Sequence, residues 1–114
     1  MMLKPCKIKW RTCNGHQLEV LYLGENHLTD VSALANLTRL QELYLSSNQL
    51  TDVSVLADLT QLQELVLRDN QLTDVSALAN LTQSQTLYLS DNELTDAHIE
   101  ALQKALPDCY IWYW

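Results

Sequence analysis

The chain of 114 residues contains no phenylalanine and only two glycines and two prolines. That scarcity excludes collagen-like, linker and low-complexity sequence, all of which are rich in glycine or proline. No apolar run reaches the roughly 18 residues that a membrane-spanning helix needs. Bases are scarce after the opening stretch: Lys4, Lys7, Lys9 and Arg11 lie near the start, and only Arg39, Arg68 and Lys104 follow. Acids are missing from that stretch, since all fourteen lie at Glu19 or beyond. From Glu19 on, three bases face fourteen acids, which gives −11 there against −7 for the whole chain. A surface of this sign repels nucleic acid and anionic lipid and favours basic or neutral partners. The plainer reading of the same charge is solubility. Also missing are a Ser-His-Asp order, a phosphate loop and a zinc-binding helix motif, and His16, His27 and His98 stand isolated. No catalysis, cofactor or metal site is therefore expected. Met1 to Pro5 is too short for a secretory leader and has no apolar core segment, so a complete chain is expected in the cytoplasm; otherwise the compartment is open.

What the chain has is repetition. Leu43-Tyr44-Leu45-Ser46-Ser47-Asn48-Gln49-Leu50-Thr51-Asp52 returns with variation from Leu21, Leu65 and Leu87, and Asn26, Asn48, Asn70 and Asn92 mark a period of 22 residues. A fixed period of this size signals stacked units, each unable to bury its apolar face alone. Within Leu-x-Leu the strand period of two sends both leucines inward and the residue between them outward. Leu21/Leu23, Leu43/Leu45, Leu65/Leu67 and Leu87/Leu89 thus build a core. Leu28, Leu50, Leu72 and Leu94 close it below the turn, and Val31, Leu34, Leu37 and their later counterparts close it from behind. The four asparagines are expected as buried amides that satisfy loop backbone. Asp30, Asp52, Asp74 and Asp96 are expected as N-caps of short helical segments.

Leu40 to Leu50 fits L-x-x-L-x-L-x-x-N-x-L at every fixed position, as do Leu18 to Leu28 and Leu62 to Leu72; Ser84 breaks it in the fourth copy. The pattern resembles that of leucine-rich repeats. With the continuation Thr-Asp-Val-Ser-x-Leu-Ala-x-Leu-Thr, it is similar to the short-repeat subclass of bacterial internalins, over residues 18 to about 111. The resemblance implies an α/β solenoid: a curved parallel sheet of about five strands, short helices on the convex side, and a cap at each end.

The ends differ from the repeat. Cys6-Lys7-Ile8-Lys9-Trp10 alternates like a half-buried strand, Asn14-Gly15 signals a turn, and the few residues before Leu18 leave room only for antiparallel pairing. Residues 1–17 are read as an amino-terminal cap, 18–105 as repeats and 106–114 as a capping strand. Cys6 and Cys13 leave three readings open: a disulfide, two free core thiols, or a zinc site with His16 and His27. Ile99, Leu102, Ala105 and Leu106 share a helix face ended by Pro107. A step of 22 from 84, 87 and 89 then gives Leu106, Cys109 and Ile111, and makes 109–112 the fifth parallel strand. Asn36-Leu37-Thr38 and Asn80-Leu81-Thr82 fit the glycosylation pattern but fall out of the repeat itself.

The informative surface is the concave face. Its outward positions begin with Val20, Tyr22, Gly24 and Glu25 and recur one period later in each copy. The step of 22 stacks Tyr22, Tyr44, Val66, Tyr88 and Tyr110 in one column. Glu42 and Glu64 run beside it, with an acidic edge of Glu25, Asp69 and Asp91. Tyrosine suits interfaces and also simply suits strands. A protein-recognition module is the leading expectation, with Tyr22, Glu42, Tyr44, Glu64, Val66, Arg68, Tyr88, Asp91, Tyr110 and Trp112 as contact residues for a basic or neutral protein or peptide. The alternative is a structural or engineered scaffold that forms a homodimer through the aromatic carboxy-terminal edge.

Overall fold

The computed structural model describes residues 9–13 and 17–113, with side chains from Leu18 to Tyr113. Cys6, Asn14-Gly15, His16 and Trp114 lie outside the described residues, and so do the disulfide, thiol and zinc readings that involve Cys6. Six strands form one sheet in sequence order. β1 (Lys9–Cys13) and β2 (Gln17–Tyr22) pair antiparallel, as the short connection requires. From β2 on, all pairing is parallel, through β3 (Glu42–Tyr44), β4 (Glu64–Val66), β5 (Thr86–Tyr88) and β6 (Tyr110–Trp112).

Each strand is only three residues long from β3 on because one Leu flanked by two outward residues completes its span. Leu21, Leu43, Leu65, Leu87 and Ile111 are register partners and all are buried. Stacking makes the core continuous: Leu40, Leu43, Leu45, Leu50, Leu56, Leu59, Leu62, Leu65, Leu67, Leu72, Leu78 and Leu81 lose all measurable exposure. Each such leucine contributes about 1.5–3 kcal/mol relative to an exposed one. At the ends, Leu18, Leu28, Leu37 and Leu94 are only partly buried, since a neighbouring coil covers one side of them and not the other.

Behind the sheet, the first three returns are 3₁₀ helices at Ser32–Leu34, Ser54–Asp58 and Ser76–Asn80. A 3₁₀ turn rises about 2.0 Å per residue against 1.5 Å for an α-helix, so it crosses the same gap with fewer residues. The aspartates serve these helices from one position further out than expected. Val31, Val53 and Val75 hold the N-cap positions and make no side-chain cap. Asp30, Asp52 and Asp74 each accept the N–H two residues on, from Ser32, Ser54 and Ser76 at 2.8–2.9 Å. Asp96 is corrected too: it is the first residue of α1 (Asp96–Ala105), and Thr95 is the cap. The Thr95 Oγ1 accepts the His98 N–H while His98 Nδ1 accepts the Thr95 N–H, a reciprocal capping box. Ile99, Leu102 and Leu106 are buried as expected, but Ala105 is exposed.

The expected step of 22 fails at the last strand. Leu87 pairs with Ile111 and Tyr88 with Trp112, a step of 24. A regular α-helix of ten residues replaces the short 3₁₀ segment, and the two extra residues enter there. Among the described residues Asn92 is the last asparagine of the ladder.

That ladder is built as the repeat requires. Asn48 Nδ2 donates to Leu45 O at 2.9 Å and to Leu23 O of the preceding coil at 3.1 Å. Its Oδ1 accepts from the N–H groups of Asn26 and Leu28, both at 3.0 Å. Asn70 repeats this with Leu67 O, Leu45 O and Leu50 N–H. Asn92 does so with Leu89 O, Leu67 O and Leu72 N–H. Asn48 and Asn70 are buried; Asn26 and Asn92, at the ends, are half-buried.

Candidate functional site: the concave sheet face

Register places the outward residues in two main rows. One row runs Tyr22, Tyr44, Val66, Tyr88, Trp112; the other runs Val20, Glu42, Glu64, Thr86, Tyr110. Tyr110 therefore does not extend the tyrosine column as the step of 22 implies. Trp112 takes that place, and Tyr110 continues the glutamate row. Both still face the concave side, and their rings lie 5.0 Å apart at 41°. Tyr22 and Tyr44 stack at 4.3 Å and 9°. Tyr88 and Trp112 are parallel within 6° at 6.3 Å. Val66 interrupts the rings between these pairs. Val20 departs from expectation: it is 2% exposed, although it is outside the inner core.

Tyr44 does more than present a ring. Its hydroxyl lies 2.7 Å from Glu42 Oε1 and 2.9 Å from Glu64 Oε2. Glu42 and Glu64 are direct register partners, so two like charges sit on adjacent strands with one hydroxyl proton between them. Desolvation first, and then the two carboxylates, push the Tyr44 hydroxyl well above the usual tyrosine range. It stays a neutral donor at any physiological pH. The clue to this bridge was present in the sequence: Glu at i−2 shares the face of Tyr44, and Glu64 stands one period after Glu42. It emerges only once the strands are laid side by side.

The acidic edge has a backbone cause that the sequence reading missed. Glu25, Ser47, Asp69 and Asp91 all have φ near +60°. This left-handed residue turns the chain away from the sheet just before each asparagine. It still allows one more rung, as Glu25, Ser47 and Asp69 donate to Ser46 O, Arg68 O and Ser90 O at 2.9 Å. Aspartate tolerates that conformation better than most side chains, which accounts for the aspartates at two of the four places. Arg68, next outward from Val66, has its Nε 3.6 Å from Asp91 Oδ2 with both side chains about 60% exposed. A pair so exposed contributes little to stability.

Among the described residues no group of three potential metal ligands converges, and no helix is long and apolar enough to cross a membrane. On the convex side a cavity of about 190 Å³ lies between the Ser76–Asn80 helix and α1, walled by Ala79, Ala97, Ala101 and Leu102 with Asp74 and His98 at its rim.

Residues 16–58 match the family described as Leucine Rich repeats (2 copies), 51–94 match Leucine rich repeat, and 84–105 match Leucine Rich Repeat. The chain is a leucine-rich repeat protein of internalin-like type. An internalin of Listeria monocytogenes, InlF, is 37% identical with a TM-score of 0.78 over 83% of this chain and 28% of its own. Internalin C2 of the same organism is 36% identical, with a TM-score of 0.79 over 85% of this chain and 42% of its own. A leucine-rich repeat protein of Leptospira interrogans is 33% identical, with a TM-score of 0.76 over 82% and 25%. The chain thus spans less than half the length of each of these structures. No curated protein matches it. Leucine-rich repeat domains of this kind are in general non-enzymatic protein-interaction modules.

Proposed function

We propose that this domain is a non-catalytic recognition module that binds a protein or peptide on its concave face. The observation that carries this reading is the pair of ring stacks on one open sheet face, Tyr22 on Tyr44 and Tyr88 beside Trp112, with Tyr110 next to them 57% exposed. Stiff aromatic side chains with polar tips give contact area at little entropic cost. Glu42, Glu64, Arg68 and Asp91 border the rings and would set the partner's charge, basic or neutral. Residues 1–17 and 106–114 act as caps in this reading, and neither nucleic acid nor membrane is a partner.

The test starts from proteins retained by the immobilised domain and identified by mass. Their affinity is then measured for wild type and for Tyr22→Ala with Tyr88→Ala, which spares the Tyr44 bridge. Binding should weaken at least tenfold, while the unfolding midpoint changes little. A partner that holds the double variant as tightly as wild type puts the site elsewhere.

A second reading, self-association through β6, is favoured by the exposure of Tyr110 and of Tyr113, which is 41% exposed. Sedimentation of the intact chain against one ending at Ile111 tests it: a monomer in both cases overturns it.

A further inference from the structure

The aromatic row has a gap one strand wide. Tyr22 and Tyr44 lie on neighbouring strands and stack, and Tyr88 and Trp112 do the same. Between them β4 contributes only the two methyl groups of Val66. Tyr44 and Tyr88 therefore rise from strands two spacings apart, about 9.6 Å from backbone to backbone. A flat group held between two rings needs about 7–8 Å from ring to ring, and two flat groups need about 10.5–12 Å. The notch over Val66 thus admits one planar group and not two.

The border of the notch selects among planar groups. Glu64 precedes Val66 by two residues on the same face, and its Oε2 already accepts the Tyr44 hydroxyl at 2.9 Å. That bond holds the wall ring and the carboxylate together as one unit. Arg68, on the other side of Val66, is turned to Asp91 on the next coil. A neutral ring would fill the notch but leave the carboxylate unanswered. A lysine ammonium would answer the charge but has no flat face. A guanidinium does both, stacking on aromatic faces and pairing with carboxylate. The surplus of acid over base from Glu19 on favours the same choice.

We propose that the notch over Val66 takes an arginine side chain of the protein partner, its guanidinium sandwiched between Tyr44 and Tyr88 and paired with Glu64. This rests on the concave-face reading and specifies the partner's chemistry at one position.

The probe is acetyl-Gly-Arg-Gly-amide, with lysine, citrulline and tryptophan versions beside it. Each is titrated against the whole protein while the ring resonances of the five tyrosines are followed. The arginine peptide should shift Tyr44 and Tyr88, move its own δ-methylene protons upfield, and bind with a Kd on the order of 1 mM. The citrulline version keeps the flat shape without the charge and should bind at least fivefold more weakly. Val66→Trp fills the notch with the protein's own ring and should lower the arginine peptide's affinity at least tenfold. Glu64→Gln should lower it threefold or more, with thermal unfolding of each variant confirming the fold. If Val66→Trp does not fold, Tyr88→Ala, which removes one wall, serves in its place.

Unmoved Tyr44 and Tyr88 rings at 20-fold the expected Kd would overturn the inference. So would equal binding to Val66→Trp, or tighter binding of the tryptophan peptide. If the peptide fails while a captured partner still loses affinity with Tyr22→Ala and Tyr88→Ala, the arginine falls and the concave site stands. If that partner is indifferent to the double variant, the concave site falls as well.

Discussion

The coil built on β4 and the coil built on β6 present the same inward–outward alternation by different means. At β4 the chain leaves the strand through a left-handed residue, Asp69, and anchors on Asn70. It returns through a 3₁₀ helix of five residues with no side-chain cap at its N-terminus. Into β6 the chain returns through an α-helix of ten residues with a capping box, and the step between strands lengthens from 22 to 24 residues. The β4 coil is stabilised by neighbours on both sides, so its backbone groups find partners in adjacent coils. The β6 coil has a described neighbour on one side only, and more of its stability is local, in the helix and its cap. The period of 22 therefore breaks where local structure takes over from lateral bonding.

The sharpest way to break that difference is to remove one ladder amide in the β4 coil and one in the β5 coil, beside β6. Asn70→Ala deletes a buried amide that serves Leu45 O, Leu67 O and Leu50 N–H, all at 3.0–3.1 Å. Unsatisfied buried groups cost about 1–3 kcal/mol each, so a total near 3 kcal/mol is expected. Asn92→Ala removes the same pattern at a half-buried place, where water can answer the freed groups. About 1 kcal/mol is expected there. Denaturant midpoints of the two variants decide; equal losses would mean that the interior rung and the last rung are equally closed to solvent.

Ser84 sharpens the comparison from the core side, because it lies where the repeats meet the last coil. It is buried, and its hydroxyl reaches Leu62 O at a long 3.3 Å. A pocket of about 140 Å³ adjoins it, walled also by Leu106 and Cys109. Ser84→Leu restores the repeat residue into that space and should stabilise by about 1–2 kcal/mol. A lower urea midpoint would show that the pocket cannot take the larger side chain.

Much of this fold was legible before any coordinates, because each requirement recurs at one spacing. Leu43, Leu65 and Leu87 must point inward together, and Asn48, Asn70 and Asn92 must meet loop backbone together. What escaped were features that depend on length or on lateral approach. The helix Asp96–Ala105 could be seen to be longer, but not that it shifts the register by two and puts Trp112, rather than Tyr110, beside Tyr88. Asp30 reads as a cap because it precedes a helix, yet the tight 3₁₀ entry moves the cap position to Val31. The candidate face was legible as a set of outward residues. Its inner order was not, since the Glu42–Tyr44–Glu64 bridge joins residues 20 apart that touch only across strands. The left-handed turns carry no glycine to announce them: Glu25, Ser47, Asp69 and Asp91 stand there instead.

A smaller effect is expected where the last coil is stabilised locally. Thr95→Ala removes the oxygen that accepts the His98 N–H and opens the capping box of α1. About 1 kcal/mol should be lost. Hydrogen exchange should quicken first at the start of α1 and leave the β3–β4 amides unchanged. Uniform quickening would show that the last coil unfolds only with the whole.

The smallest expected effect tests the helix entries in the repeats by pH. Asp30 and Asp74 are held below the ordinary carboxylate range, first by the N–H of Ser32 or Ser76 and then by the serine hydroxyl. A depressed folded-state pKa means that the ionised form is favoured by folding. Its contribution is present above the unfolded pKa and is lost as pH falls through the folded one, so stability should decline below about pH 4. Both carboxylates are fully exposed, which keeps the slope shallow and makes salt reduce it. Asp30→Asn with Asp74→Asn keeps an oxygen able to accept the serine N–H but cannot titrate. The double variant should therefore keep most of its neutral-pH stability and show a flatter denaturation midpoint between pH 6 and 3 than the wild type. An unchanged acid slope would assign that slope to other carboxylates. A large loss at neutral pH would show instead that charge, more than the hydrogen bond, holds the 3₁₀ entries in place.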